Sequence, residues 1–381
     1  YQSNVSTASS WMKNADAALV NVTDLLQTFK AKVEQGSNST NNESDMKDIA
    51  KELLANVQEQ VADLNTQIGD RFLFAGQKDT TMPFEISSDK MSRGDTFTLD
   101  EKQSAFFSGA TGWGAENTTV KQMLKLNGDD GNGYYMNVNT GDVYTEDFVK
   151  NGYKNEDKFD PAKQRVGNIT AITDPPTAYK VSDHFDQYGV IKTDAGVGTN
   201  AKYNVTVDGK QVNLKLSTTK QYIVKYAGDD KYISMVKKNG GVDKATDTVN
   251  VTGQDINGCD LFDVGNDPHS GTARLNQLLY TVAKMDAADY KWAGEQGMTI
   301  ADSAHATVLG AQTKMAARQQ AYNSSSSMLV TQNESITSDI SDVSSTDVAQ
   351  LATKLMEYQT IYSLSLSVGS KILPGTLADY L

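Results

Sequence analysis

The chain contains very little cysteine, proline or histidine. Its 381 residues include one cysteine, six prolines and three histidines. A single cysteine, Cys259, excludes an intramolecular disulfide framework and a metal cage built from cysteines. The histidines, at His184, His269 and His305, are far apart in the sequence, and none occurs in a His-Glu-X-X-His motif. The sequence therefore predicts no metal site and no cofactor.

Basic charge is also scarce. The chain has 35 Lys and Arg against 48 Asp and Glu, which gives a formal net charge of −13. Binding to nucleic acid or to an anionic membrane surface requires a basic footprint, so we expect neither as a partner. The sequence has no run of roughly 18 apolar residues, the length that spans a bilayer.

Motifs of known enzyme classes are missing as well. The chain has no Gly-X-Ser-X-Gly elbow, no P-loop and no Gly-X-Gly-X-X-Gly fingerprint. Asp183-His184 is the one candidate for a general-base pair, but such neighbours in a polar loop are more often solvated. Residues 127–133 are rich in Asp and Gly, yet no register places Gly sixth and Glu twelfth as an EF-hand loop requires. We expect a turn at residues 127–133. From the missing motifs we expect that the protein is not an enzyme.

Both ends of the chain carry apolar residues at heptad spacing, which predicts helices with one covered face. The polar segment 36–42 separates the first two sets, and residues 43–45 offer N-caps for the second helix. Because this connection is short, we expect the two helices to be antiparallel neighbours that cover each other. The first set is Trp11, Ala15, Ala18, Val22, Leu25 and Phe29, and the second is Met46, Ile49, Leu53, Val57, Val61, Leu64 and Ile68.

Helical spacing returns near Gly271, with Leu275, Leu278, Val282 and Met285. A further helix is predicted from about residue 299, and it continues through the serines at 324–327, since each serine costs only about half a kcal/mol in a helix. A break is predicted at 341–346, with Thr346 or Asp347 as the N-cap of a terminal helix over 346–373.

The apolar residues divide into a predicted core and a predicted interface. The terminal face is assigned to assembly with other subunits, because no partner for it is evident in the chain. The interface comprises Val348, Leu351, Leu355, Tyr358 and Tyr362, and the core comprises Trp11, Val22, Leu25, Phe29, Leu53, Val57, Leu64, Leu275, Leu278 and Val282.

The middle of the chain follows a different pattern, with Asn-Gly and Asp-Gly turn pairs between alternating segments. Residues 203–207 and 212–216 predict a hairpin around Asp208-Gly209, and further strands are predicted at 222–226, 232–236 and 248–251. The predicted fold class is α+β and multidomain. An elongated antiparallel helical bundle is formed by residues 1–85 and 268–381, and a mostly-β domain, with room for two subdomains, is inserted at 86–267.

Three stretches of the sequence resemble the flagellin superfamily, and within it the hook-associated family that joins filament to hook. Residues 71–76, Arg-Phe-Leu-Phe-Ala-Gly, followed by 81–84, Thr-Met-Pro-Phe, are similar to the family's exit from its helical domain into a variable insert. Leu309-Gly310 with Arg318 is similar to a motif of the returning helix. Residues 338–343, Tyr358-Gln359 and the Leu-Ala-Asp-Tyr-Leu end are similar to the family's C-terminal domain.

This resemblance implies a structural subunit that is exported without a cleaved signal peptide and is extracellular, in the flagellum. The implied partners are other copies of itself in a ring, the preceding hook-associated junction protein, flagellin and an export chaperone. The family begins with a further helical segment, so we expect the terminal helix here to lack an intramolecular partner. Two alternatives stay open. One is a flagellin filament subunit; the other is an adhesive or carbohydrate-binding β-domain on a helical stalk, with Trp113, Tyr134 and Tyr135 as stacking faces.

Overall fold

The computed structural model describes residues 2–108, 120, 122–137, 140–157, 159–168, 204–233, 248–258 and 271–372. The chain divides into two compact units, one of Ser10–Gln319 and one of Tyr1–Ser9 with Gln320–Leu381. Helices occupy both ends of the chain and strands its middle, so the α+β prediction is confirmed. The predictions for Trp113, Asp183-His184, Cys259 and His269, for residues 234–236 and for the end at 373–381 lie outside the described residues.

The first two helices are α1, Gln2–Gly36, and α2, Glu43–Leu64. The cap of α2 is one residue earlier than predicted. The Asn42 side chain accepts from the Asp45 amide, and the Asp45 carboxylate accepts from the Asn42 amide, at 2.9 and 3.2 Å. This capping box satisfies two amides that would otherwise lack partners at the start of the helix.

The buried stripe of α1 requires one correction. Trp11, Val22 and Phe29 are buried as placed, but Leu25 is half-buried and Leu26 is fully buried. Neighbours three and four residues away lie on either side of the midline of a helical stripe. In α1 the residue four positions after Val22, which is Leu26, faces inward. The buried stripe therefore runs through Leu19, Val22 and Leu26, and Leu25 lies at its edge.

Beyond α2 the chain leaves the helices through short antiparallel strands. A small hairpin joins β1, Gln67–Ile68, to β2, Arg71–Phe72, around Gly69 with φ of +63°. The predicted extended segment 71–76 is strand only at its start, and residues 73–76 form a buried turn. The outgoing chain continues through β3, Phe84–Ile86, β4, Met91–Gly94, and β5, Thr96–Thr98.

Six further strands follow: β6, Gln122–Gly128; β7, Gly133–Met136; β8, Asp142–Thr145; β9, Gly167–Asn168; β10, Asn204–Val207; and β11, Lys210–Leu216. With β5 they form an antiparallel sheet of seven strands in the order β10-β11-β6-β7-β8-β9, in which β5 also pairs with β6. Asp208 and Gly209 both have positive φ, and they close the predicted hairpin between β10 and β11. The predicted turn at 127–133 is likewise confirmed between β6 and β7.

Short helices accompany the sheet: α3, Glu101–Ser108, α4, Glu146–Lys150, and α5, Pro161–Gln164. Adjacent residues of β7 serve two separate cores, because successive side chains of a strand point to opposite faces. Tyr134 joins an aliphatic cluster with Leu124 and Val212. Tyr135 stacks on Phe97, with ring centroids 4.6 Å apart, in an aromatic cluster that includes Phe107.

The returning chain pairs with the outgoing one before it re-enters the helices. Strand β12, Thr218–Gln221, pairs with β4, and β13, Val224–Tyr226, pairs with β3. Four helices follow: α6, Gly253–Asn257; α7, Ala273–Asp286; α8, Tyr290–Trp292, which leads into one π-helical turn, Ala293–Gly297; and α9, Met298–Ile372.

Helix α7 packs against α2 and also fixes the returning strand. The Asn276 side chain accepts from the Val224 amide at 2.8 Å and donates to the Val224 carbonyl at 3.3 Å. The residues placed in the core from the sequence are buried in both helices: Leu53, Val57 and Leu64 of α2, and Leu275, Leu278 and Val282 of α7.

Candidate assembly surface

Helix α9 is continuous over 75 residues. The helix through 324–327 is confirmed, whereas the break predicted at 341–346 does not occur. Serine and threonine hydroxyls here donate to the carbonyl four residues earlier, as Ser325 does to Ala321 and Thr337 to Asn333. Such bonds satisfy the hydroxyls inside a helix. Residues 341–347 contain neither Gly nor Pro, so nothing in them costs more than a fraction of a kcal/mol, roughly, and the helix continues.

The C-terminal part of α9 presents apolar side chains to solvent. The predicted interface residues lie on one helical face, which we call the first face, and each is between 59% and 72% exposed: Val348, Leu351, Leu355, Tyr358 and Tyr362. In the earlier part of the same helix, apolar residues at this spacing are buried, including Val308 and Met315. The exposure therefore belongs to the C-terminal part, and apolar residues do not face solvent along all of α9.

A second apolar face was missed from the sequence. It consists of Ile336, Ile340 and Val343, and then Ile361, Leu364 and Val368, which are between 50% and 64% exposed. These residues share one heptad register. Between the two groups the same register holds polar residues: Asp347, Gln350, Lys354 and Glu357. The spacing of Ile361, Leu364 and Val368 by three and four was the available signal.

The two faces lie side by side on the helix. The first face is one residue later in the heptad than the second, which rotates it by about 100° at 3.6 residues per turn. Over residues 347–358 the first face is apolar and the second face is polar, and both faces are apolar near 361–362. A helix with an apolar surface wider than one seam requires cover from more than one side.

The residues that carry the family resemblance near position 74 lie at the junction of the outgoing and returning chains. The Tyr226 hydroxyl donates to the Phe74 carbonyl at 2.9 Å, and the Asp229 amide donates to the Ala75 carbonyl at 3.0 Å. The Asp229 carboxylate accepts from the Gln77 amide at 2.7 Å. These hydrogen bonds hold the turn after β2 against the segment after β13.

Arg318 of α9 reaches the same junction. Its Nη1 donates to the Asn250 carbonyl at 2.9 Å, and its guanidinium lies 5.8 Å from the centre of the Tyr232 ring. The Tyr232 hydroxyl donates in turn to Asp255 of α6 at 3.0 Å. Arg318 therefore holds the returning chain in place through its contacts with Asn250 and Tyr232, and its role is structural.

A cluster of charges joins the sheet to α7. Asp95 accepts from the Ser217 hydroxyl at 2.8 Å and lies 3.8 Å from the Lys284 ammonium. Burial lowers the pKa of Lys125, and the nearby Lys284 charge lowers it further. The carboxylate of Asp95, which is 3% exposed, faces these cations inside the protein. The cluster is a buried structural contact.

Chemistry that would indicate an enzyme or a sugar site is sparse in the part of the chain that the structure describes. No group of three or more His, Cys, Asp or Glu residues there could hold a metal ion. His305 is half-buried on α9. Tyr134 and Tyr135 are each 1% exposed, which removes them as stacking faces. Burial, together with a hydrogen bond to Asp130, raises the pKa of Tyr134 to about 12.

Within the described ranges, no helix is both long and apolar enough to cross a bilayer.

Solved structures with a similar course of the chain come from flagellar proteins. The chain is similar to the flagellar junction protein FlgL from Legionella pneumophila, with 12% identity, a TM-score of 0.37 and coverage of 85% of this chain and 95% of that one. It is also similar to flagellar hook associated protein-3 from the same organism, with 11% identity, a TM-score of 0.38 and coverage of 90% of this chain and 95% of that one. For FlgL from Xanthomonas campestris the identity is 13% and the TM-score is 0.36, with coverage of 89% of this chain and 96% of that one.

No family model matches the chain, and no curated protein matches it.

Proposed function

We propose that this chain is a structural subunit of the bacterial flagellum and joins the hook to the filament. The observation that carries the proposal is the exposed first face of α9, five large apolar side chains at heptad spacing. The motifs at 71–76, at Arg318 and at 338–343 support it, because they occur along the chain in the order of the hook-associated family. The role is structural and not enzymatic.

The first face suits a helix of another subunit. Heptad spacing matches the knobs-into-holes geometry of paired helices. A fully buried large apolar side chain is worth about 1.5–3 kcal/mol, so covering five that are about two-thirds exposed yields roughly 5–10 kcal/mol. Bringing two proteins together costs about 4–15 kcal/mol in lost freedom. One such contact is therefore marginal by itself, and a closed ring of copies, each with two neighbours, makes it stable.

The second face gives each subunit a place for another neighbour. One residue step rotates a helix by about 100°, so the two faces point in different directions and the helix can pack between two others. Unlike contacts on two sides generate rings or helices instead of closed dimers. We assign the first face to a different surface of the next copy of this chain, as a ring requires, and the second face to the unlike components, which are the preceding hook-associated protein and flagellin.

The subunit is extracellular, is exported without a cleaved signal peptide, and is held by an export chaperone before assembly. A chaperone is consistent with the exposed faces, because contiguous apolar surface of this kind promotes aggregation when it stays uncovered.

A deletion of the full-length gene tests the proposal. Cells without it should build hooks, fail to hold filaments and release flagellin into the medium. Restoring the gene should restore attached filaments. A deletion strain that still builds attached filaments would refute the role as a junction. A protein that polymerises alone into long filaments when seeded would instead be a filament subunit.

A further inference from the structure

Arg274 is a buried cation without a counter-charge among the described residues. Its side chain is 3% exposed, in the first turn of α7. Its Nε donates to Asn257 Oδ1 at 2.9 Å, and its Nη1 donates to Gln60 Oε1 at 2.6 Å. Both acceptors are neutral amides. A buried charge normally has an ionic partner, because its desolvation cost is otherwise several kcal/mol, roughly.

Two nitrogen donors at this point have no acceptor among the described residues. Arg274 Nη2 is buried and makes no hydrogen bond to any of them, and the same holds for Asn257 Nδ2. The hydrogen bond from Nε to Oδ1 joins the two side chains, and each unsatisfied nitrogen is attached to the carbon next to one of those bonded atoms. The two nitrogens therefore belong to side chains in direct contact. Asn257 is 2% exposed, so bulk water does not reach them.

The helix around Arg274 adds to the positive potential. The peptide N–H groups at the start of a helix carry about half a positive charge in total. Helix α7 is 14 residues long and has no acidic residue in its first turn. Burial lowers the pKa of Arg274 to about 9, which still leaves the guanidinium charged at neutral pH. A cation at a helix start is unfavourable unless an anion is close.

We propose that Arg274 Nη2 and Asn257 Nδ2 bind a small monovalent anion, with chloride as the physiological form. Every unsatisfied group at the site is a donor, so the ligand must accept hydrogen bonds. A water molecule could accept them, but it would leave the guanidinium charge uncompensated. Both side chains are enclosed, which favours a monatomic ion over phosphate or sulfate. The anion stabilises the contact among α2, α6 and α7.

Thermal unfolding of the full chain in two salts gives the first test. Sodium chloride and sodium gluconate at equal ionic strength differ in whether the anion is small enough to enter. We expect the midpoint to rise by a few degrees with chloride and to saturate, since a ligand that binds only the folded state stabilises it. Equal midpoints in the two salts would overturn the proposal.

Asn257→Asp gives a second test, in which a substitution at a buried position is expected to raise the unfolding temperature. It places a second carboxylate oxygen at the position of Nδ2, where it can pair side-on with Nε and Nη2. We expect the variant to unfold at a higher temperature than the parent in gluconate and to lose the chloride effect. Asn38→Asp, at an exposed position whose side-chain oxygen accepts from the Thr40 amide, controls for the added charge. A chloride effect that Asn257→Asp retains would mean that the anion acts elsewhere.

Bromide provides a direct measurement that needs no variant. Crystals of the parent chain grown with sodium bromide in place of chloride should give an anomalous peak within hydrogen-bond distance of Arg274 Nη2 and Asn257 Nδ2. The absence of a peak there at a bromide concentration that raises the unfolding midpoint would contradict the assignment.

Discussion

Gly76 lies directly against Asp229 where the chain leaves the helices. Its φ is +70°, and a Cβ at this position would overlap the Asp229 main-chain oxygen and carboxylate. The junction therefore needs glycine for two reasons, the backbone conformation and the close approach. This contact ties the 71–76 motif to the segment after β13 and so connects the helical ends to the β part.

Gly76→Ala should destabilise the fold strongly. The positive φ costs about 1 kcal/mol for a residue with a Cβ, and the overlap adds about 1–3 kcal/mol. Gly69→Ala is the matched control, because Gly69 has φ of +63° but no neighbouring atom within 4 Å of the added Cβ. Denaturant unfolding of both variants should give a clearly larger loss for Gly76. Equal losses would mean that the contact with Asp229 is unimportant.

The polar chain that runs from α1 to α6 should be sensitive at its centre. Gln60 accepts from Arg274 at 2.6 Å and donates to Asn56 at 2.8 Å, and Asn56 donates to the Leu25 carbonyl at 2.9 Å. Gln60→Met keeps the side-chain length but leaves Arg274 with one partner fewer. We expect a loss of about 1.5–3 kcal/mol in the free energy of unfolding, because a hydrogen bond to a charged group is lost and its donor stays buried.

Gln58→Met provides the control for this variant, since Gln58 is exposed on the same helix. It should change the free energy of unfolding by less than about 0.5 kcal/mol, as is usual for surface positions. If chemical denaturation gave the same small effect for both variants, Arg274 would not depend on Gln60.

Leu26 and Leu25 should differ although they are adjacent. Leu26 is fully buried, and its replacement by Ala should cost about 3 kcal/mol or more, because a cavity remains. Leu25 is half-buried, so Leu25→Ala should cost about 1 kcal/mol. Unfolding of the two variants by urea measures the difference. The opposite order would restore the stripe drawn from the sequence.

Local signals in the sequence predicted the main helices and one hairpin. Heptad spacing located α1, α2 and α7, and the Asp208-Gly209 pair located the hairpin of β10 and β11, because both signals depend on neighbours in the sequence. The first face of α9 was found in the same way, and its residues share one exposed face in the structure.

Features that depend on tertiary contacts were not predicted. Leu25 and Leu26 fit the heptad equally well, and packing alone selects Leu26. The helix through 341–346 continues because helix propensities of single residues are weak, about half a kcal/mol each. Arg274, Gln60 and Asn257 are far apart in the sequence, and no spacing pattern connects them.

The central claim is that the first face of α9 joins subunits and does not stabilise the single chain. Leu351→Asp with Leu355→Asp places two charges on that face, and Thr353→Asp with Thr360→Asp places two on the opposite side of the same helix. All four positions are exposed. Exposed substitutions change the free energy of unfolding by about 0.5 kcal/mol or less, so both double variants should unfold like the parent.

The decisive measurement is filament attachment in a deletion strain that carries each double variant in the full-length gene. The account predicts bare hooks and released flagellin with the leucine pair, and attached filaments with the threonine pair. Attached filaments with the leucine pair, at normal export levels, would contradict it.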